Sequence, residues 1–524
     1  MQFWDMKITM GTFFLDFSWM GVFLLAAFVV RSRSRWLQKH LIPANLLGGV
    51  LGLMVGSQLL GWVDLPTERL GAYVYHLLAL LFIALGLRSS RKNMTKSSLQ
   101  TGLLFIMTYL VQGVIGILLT MAVMWLLMPD LFAGFGMLAP LGFGMNPGIA
   151  YTVGQSWEEA GFASGGVIGL TFSAIGFLAA YTTGIWAIRR GIRRGEATYI
   201  RPEDILPEAL GDGVVDVGSA VGVAGASSEG SADGIGAAGS ESVATDANEG
   251  VATDVLADAH RRAGRITTLP EVLESFTTHL GFIAFTYVLT YGLMQSGAWL
   301  LVSIGAESEV RTLWTFHFIF AAVTALLVRK VVDRVGFDRL IDDITMTRLS
   351  NFFMDFMIVA SISAISVVVV GEYWLPLLLI SGVVITATWF FIKRLCYQAF
   401  DHHKLEYFTS IYGDMTGTLQ SALILLRVLD NDMRSPVSYH LVYGSGFSLL
   451  LGFPLLLLIN APVLYFSSVT EGFLLVTLVM AVYFVLLWIA WSYLSRDCVE
   501  LPEQAVVTFL VLGTIFQSSM SYLY

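Results

Sequence analysis

From Thr101 to Met128 the chain runs without one Asp, Glu, Lys or Arg, and runs of this kind recur along its length. A helix of about 20 apolar residues crosses the roughly 30 Å hydrocarbon core of a bilayer, and each long run is read here as a membrane span. The expectation is an all-α polytopic membrane protein in contact with the lipid bilayer. Composition agrees, with 56% hydrophobic and 13% charged residues and a mean hydropathy of +0.72.

The formal net charge of −9 belongs to one stretch, because residues 202–260 hold 12 acidic residues and no Lys or Arg, which leaves +3 elsewhere. No nucleic-acid partner is indicated. That stretch is rich in Gly, Ala, Ser and Val and has no aromatic residue, so it cannot bury enough apolar surface to offset its ordering entropy. It reads as a disordered acidic linker, 201–268, with a docking tail as the alternative. The two cysteines, Cys396 and Cys498, lie beside Lys393-Arg394 and Arg496 and are expected as reduced thiols that form no zinc site. The first apolar run is followed directly by Arg31 and reads as an uncleaved span.

Basic residues orient the spans, since cytoplasmic ends carry an excess of Lys and Arg. Arg31, Arg33, Arg35 and Lys39 follow the first run, Arg88, Arg91, Lys92 and Lys96 the third, and Arg189, Arg190, Arg193 and Arg194 the run from Gly165 to Ile188. The second run is 41–60 and the fourth 101–128. In the second half the runs are 276–304, 313–328, 352–370, 375–392 and 437–464, with basic residues after Val328 and Ile392. This places the multi-pass chain in the cell (cytoplasmic or inner) membrane with both termini outside and the linker in the cytoplasm. The units are a first repeat, 1–200, the linker, a second repeat of inverted topology, 269–466, and an added span pair, 467–524.

Two glycine-bearing interruptions break the apolar pattern, Gly142-Phe-Gly-Met-Asn-Pro-Gly148 and Tyr412-Gly-Asp-Met-Thr-Gly417. Gly costs a helix interior about 1 kcal/mol and Pro about 3 kcal/mol, so neither is expected to be ordinary helix. An opened backbone at membrane depth is tolerated only where protein buries it or water reaches it. Broken segments in corresponding places of two halves point to a transporter's binding site, and re-entrant elements are expected near 133–149 and 405–420. The halves also share a Gly-Phe pair, Gly176-Phe177 and Gly446-Phe447, which follows Gly148 by 28 residues and Gly417 by 29. Helix N-termini at the breaks would supply donors to an anionic group, and freed carbonyls would suit a small cation.

The candidate substrate and ion site comprises Gly142, Gly144, Asn146, Pro147, Gly148, Thr152, Gln155 and Ser156 with Gly413, Asp414, Thr416, Gly417, Gln420 and Ser421. Tyr151 joins them as a side chain able to face a ligand. Sodium would be held by Asn146, Asp414 and Thr416. A carboxylate such as Asp414 at membrane depth is costly and by default functional. The competing readings are a surface loop for Asp414, helix capping for the polar side chains, and close helix packing for the glycines. Packing accounts for Gly48, Gly49, Gly52, Gly165, Gly166 and Gly169. Asp16 and Asp355 are expected beside a polar partner or an interface, and His317, His402 and His403 on a helix face or at the cytoplasmic boundary. No cofactor and no catalytic residue is expected. The enzyme alternative, an intramembrane aspartyl protease, fits poorly, because Tyr412-Gly-Asp414 lacks the preceding glycine and Asp355 follows Met354 rather than tyrosine.

At Ile42-Pro43 with Gly48-Gly49, at Gly142 to Gly148-Ile-Ala-Tyr with Glu158-Glu159-Ala-Gly161-Phe162, and at Gly413 to Gly417 with its trailing Thr-Leu-Gln-Ser, the sequence resembles the sodium/glutamate symporter family. The resemblance covers most of Thr12 to Leu464. It implies two inverted repeats of five spans, each with a re-entrant hairpin, and sodium-driven glutamate uptake by a dimeric elevator. Family members have more glycine and no acid in these loops, whereas this chain has Met145-Asn146-Pro147 and Asp414-Met415. The extra carboxylate is open as a cation ligand, as a proton carrier, or as a group that repels a dianion. A carrier of di- or hydroxycarboxylates, or a proton-coupled one, therefore stays open beside glutamate with sodium.

Overall fold

The computed structural model describes residues 10–40, 42–88, 95–200, 274–430 and 434–494, and among them every regular element is helical, with no strand. In order these are α1 (Met10–Arg33), α2 (Arg35–Lys39), α3 (Ala44–Val55), α4 (Thr67–Gly86), α5 (Lys96–Leu126), α6 (Phe135–Met145), α7 (Pro147–Ser156) and α8 (Gly165–Arg193). Then follow α9 (Ser275–Ser303), α10 (Glu307–Thr315), α11 (His317–Val335), α12 (Asp343–Ser363), α13 (Val367–Ala399), α14 (Lys404–Thr416), α15 (Leu419–Leu429), α16 (Val437–Tyr465) and α17 (Val469–Leu494). Among the described residues six helices, α1, α4, α5, α8, α13 and α17, are long and apolar enough to cross a membrane, and α10 with α11, bent by 63°, makes up to seven. This is the make-up of a multi-pass membrane protein. The expected linker 201–268 and the run 506–524 lie outside the described residues.

Local chemistry sets the helix starts. Thr95 Oγ1 accepts the Ser98 N–H at 3.2 Å, Glu274 the Thr277 N–H at 2.9 Å, and Asp342 the Thr345 N–H at 2.8 Å, each meeting an otherwise orphaned donor of a first turn. Pro43 and Pro66 precede α3 and α4, where a missing N–H removes nothing from the helix.

The spans expected at 41–60, 352–370 and 375–392 fold differently. The first holds only the 12 residues of α3, about 18 Å of helix. Gly56 is extended and the chain turns back, so that the N–H groups of Trp62 and Val63 bond to the Val55 carbonyl. The loop expected around Glu372 is instead inside α13, and the turn between spans falls at 364–366. Pro376 removes one ladder bond and crowds the carbonyl four residues earlier, but this bends α13 at Tyr373 (φ −105°, ψ 17°) without ending it.

The helices form two bundles. In one, α12 lies along α3 and α4, α11 along α4, α1 along α3, and α9 against α10 and α11. In the other, α5 is central and contacts α13, α16 and α17, while α8 packs on α6, α7, α13, α14 and α15. The seam between them includes α7 and α8 against α4 and α12. Arg69 of α4 donates through Nε and Nη2 to both oxygens of Asp16 on α1, at 2.6 and 3.0 Å. Arg329 of α11 donates to the Leu87 carbonyl at 3.0 Å and to Asp333 at 2.9 Å, which fixes α11 to the end of α4. Asp16 thus has the polar partner expected of it.

Small residues bring backbones together within each bundle. A Cβ on Gly49 would sit 2.6 Å from Ile362 Cβ, one on Gly52 2.1 Å from Ser363 Oγ, and one on Gly169 2.5 Å from the Ala150 carbonyl oxygen. The glycines assigned to packing from sequence do pack in this way. A methyl on Gly136 would lie 2.0 Å from the Gly116 carbonyl oxygen, which is backbone and cannot rotate away. Gly136→Ala is therefore expected to cost about 1–3 kcal/mol and to lower the thermal unfolding midpoint in detergent. Gly281→Ala, with nothing within 4 Å, is expected to stay within about 0.5 kcal/mol of the parent. Equal midpoints for the two variants would remove close backbone approach as the reason for the glycine.

Candidate functional site at the paired helix breaks

The first interruption opens by widening and then stopping a helix. The Asn146 N–H reaches back five residues to the Leu141 carbonyl at 3.0 Å, one residue further than an α-helix allows. Asn146 is extended, and its Oδ1 accepts the Gly148 N–H at 2.8 Å, capping α7. Pro147 occupies the first position of α7, where proline's fixed φ suits a helix start. Thr152 turns its hydroxyl onto the Gly148 carbonyl at 3.0 Å. The freed Gly144 carbonyl accepts from the Tyr109 hydroxyl of α5 at 3.0 Å.

The second interruption is narrower than the sequence indicates. Residues Tyr412 to Thr416 remain helical as the last turn of α14, and only Gly417 (φ −133°, ψ −107°) and Thr418 leave the helix before α15 begins. One glycine within a helix is tolerated at about 1 kcal/mol, and Gly413 makes room for Leu425 as α15 folds back on α14. Gln112 of α5 donates to the Met415 carbonyl at 2.9 Å and to Thr388 Oγ1 of α13 at 3.0 Å. Asp414 is 4% exposed, with Ser445 of α16 beside its carboxylate. A surface loop is thereby excluded for it.

The two breaks touch. A Cβ on Gly144 would stand 3.0 Å from Met415 Cα, and one on Gly176 of α8 would stand 2.4 Å from the Thr416 carbonyl oxygen and 2.7 Å from the Phe143 ring. Gly142 meets Ser173 and Gly148 meets Leu78 equally closely, so these glycines serve packing as well as the break. Helix α5 bridges both, through Tyr109 to the first and Gln112 to the second. Two buried oxygens here, Gln112 Oε1 and Thr418 Oγ1, have no hydrogen-bond partner. An unmet acceptor in a dry site is costly and is a place for a donor or a cation.

Of the residues nominated from sequence, Gly144 meets Met415 across the two breaks and Thr416 meets Gly176 beside Phe143; Gly142, Asn146, Pro147 and Gly148 lie on the first break, Gly413, Asp414 and Gly417 on or just before the second, and Thr152 one turn into α7. The Thr416 hydroxyl bonds back to the Tyr412 carbonyl at 2.7 Å. Gln155 and Ser156 lie at the far end of α7, and Ser156 bonds to the Val153 carbonyl at 2.7 Å. Ser421 meets Tyr181 of α8 at 2.9 Å within the same bundle, and Gln420 donates to Asn351 of α12 at 3.1 Å across the seam between the bundles. Asp355 also has the polar partner expected of it, Asn45 of α3 at 2.8 Å. His317 is 1% exposed at the start of α11, stacked on Tyr75. Cys396 is a buried free thiol, whereas Cys498 falls outside the described residues.

Sequence reading missed Tyr109, Gln112, Thr388 and Ser445. Gln112 carried a signal, as the one amide in the run from Thr101 to Met128, and polar groups at such depth face the protein interior. No family model matches the chain, and no curated protein or solved structure is found to match it. Gln112→Leu would leave the Met415 carbonyl without its donor at the break, an expected cost of roughly 1–3 kcal/mol. The thermal midpoint should fall accordingly, and an unchanged midpoint would show that the bond contributes nothing to holding the second break.

Proposed function

We propose that the chain is a secondary active transporter that imports glutamate, or a closely related small carboxylate, with sodium across the cytoplasmic membrane by elevator-type alternating access. The observation that carries this reading is the contact of two helix breaks, far apart in sequence, beside the buried Asp414 and the unpartnered oxygens of Gln112 and Thr418. Broken helices whose ends meet at depth put N–H donors and freed carbonyls on one ligand, and few other purposes justify opening a backbone there. Sodium is assigned to the oxygens of Asp414, Thr416 and Asn146. The substrate carboxylate is assigned to the N-termini of α7 and α15.

The packing supports two inverted repeats of five spans. Contacts between α3 and α12 are answered by contacts between α11 and α4, those of α1 with α3 by those of α9 with α10 and α11, and those of α5 with α16 by those of α13 with α8. The pairs α4 with α12 and α5 with α13 lie on the symmetry element of this scheme. Within this reading the arginine-rich end of α8 is assigned to the cytoplasm, as the excess of basic residues there supports. In the elevator reading, the bundle that carries the breaks moves against the other, and a second copy, as a homodimer, anchors the static one. The protease alternative is disfavoured because the two carboxylates have different neighbours, Ser445 beside Asp414 and Asn45 bonded to Asp355.

Glutamate carries one net negative charge, so one sodium makes the cycle electroneutral, and each further sodium adds about 2.3 kcal/mol of drive at 100 mV. Purified protein in liposomes should take up labelled glutamate when an inward sodium gradient is imposed and not with potassium in its place. Malate, citrate and a proton gradient in parallel assays separate the dicarboxylate and proton-coupled readings. Asp414→Asn should lower uptake at least tenfold. Loss of sodium dependence in every assay would sink the symport assignment, and undiminished uptake by the Asn variant would remove Asp414 from the mechanism.

A further inference from the structure

A cleft of about 750 Å³ opens at the arginine-rich end of α8, with one wall from Tyr181, Thr182, Trp186, Arg189, Arg190 and Arg193 and the other from Trp36 and His40 of the α2 region and Leu46 of α3. Its walls thus belong to the two different bundles, and it lies on their seam. We propose that this cleft is the cytoplasmic vestibule of the transport path, and that its arginines bind the substrate carboxylate on its way between the cytoplasm and the second helix break. The proposal rests on the transport reading given above.

Basic residues in the last turn of a helix ordinarily complement its dipole and mark the cytoplasmic end of a span. That account covers the presence of the arginines but not their placement around a concave space. Arg190 lies over the Trp186 ring at 5.3 Å, which holds its guanidinium plane at the wall. The floor supplies the second observation. Tyr181 lines the cleft and bonds at 2.9 Å to Ser421, in the first turn of α15 and only a few residues past the break at Gly417 and Thr418. From Arg193 back to Tyr181 is about 18 Å of helix, so the cleft runs from the basic mouth to the side chain that bonds the first turn of α15. Hydrogen-bonding side chains continue along the seam, where Gln420 meets Asn351 and Asn45 meets Asp355. Low-dielectric walls with cationic groups at the mouth focus the field and concentrate an anion there. The same chemistry would take a lipid phosphate, but a headgroup at the mouth gives no reason for the cleft to continue to Tyr181, whose hydroxyl meets Ser421.

The test measures glutamate KM separately on the two faces of the protein in oriented liposomes, for the parent and for the double variant Arg190→Gln with Arg193→Gln. The cytoplasmic-face KM should rise about tenfold relative to that of the opposite face and lose most of its dependence on ionic strength, and the lysine pair at the same positions should restore it. An unchanged ratio of the two KM values in a protein that transports glutamate overturns the vestibule alone. A defect present only in liposomes that contain anionic lipid, and absent in pure phosphatidylcholine, identifies a headgroup site and also overturns it. Absence of any carboxylate transport by the parent overturns the transport reading and the vestibule with it. Both substituted side chains are exposed, so a thermal midpoint matching the parent's confirms that KM is read on folded protein.

Discussion

A backbone that leaves the helix within a bilayer has to find its hydrogen-bond partners inside the protein, and most of the interior of this molecule answers that demand at two places. Tyr109 and Gln112 stand one turn apart on α5, and they donate to Gly144 on the first break and Met415 on the second. Gln112 reaches Thr388 with the same group, which brings α13 to the junction. The central position of α5 in its bundle follows from having to reach both breaks. The aromatic and aliphatic packing around it, with Phe143, Phe172 and Met415 fully buried, keeps water from competing for those carbonyls.

The glycines follow from the same demand rather than from flexibility. For two breaks to share donors on one helix, their backbones must come within contact distance, which leaves no room for a Cβ at Gly144 or at Gly176 between them. Close packing and site formation are thus one requirement here, and setting them against each other as alternatives separates what the geometry joins. The other bundle uses glycine differently, at Gly49 and Gly52 against the end of α12, where the backbones stay helical and the residues only shorten the distance between axes.

This division decides what could be read in the sequence. The position of the first break is legible, because Asn146-Pro147 combines a capping side chain with a residue that cannot follow an unbroken turn, but Gly142 to Met145 stay helical and only Asn146 leaves the helix. The second was read too wide, since Gly413 looks like a helix breaker until Leu425 is known to fill its space. The start of α13 was misplaced for a related reason: Glu372 and Pro376 look like loop residues, yet a proline in a long helix costs only a bend when neighbouring helices hold both ends. Six long apolar helices are legible from length and composition, whereas the run 41–60 is not, since its glycines and the turn at Gly56 leave only 12 residues of helix. What pairs with what is not legible, because Gln112 lies 276 residues from Thr388 and 303 from Met415, and their meeting is a property of the fold.

The two bundles are cross-linked internally by bonds that neither shares with the other. Asp16 with Arg69 and Arg329 with Leu87 tie helices of the first bundle, and Gln112 with Met415 and Tyr181 with Ser421 tie helices of the second. Across the seam Gln420 meets Asn351, and α10 meets the second bundle through Arg311 with Glu159 and Glu309 with Tyr465, solvent-exposed pairs that water replaces at little cost. If one bundle carries the breaks past the other, the groups that must separate are the ones whose partners solvent can supply, while those that hold the breaks travel together. Under the transport reading proposed above, buried bonds within bundles and exposed ones between them would let the bundles part, and Gln420 would lie at the sliding surface rather than in the ligand's coordination shell.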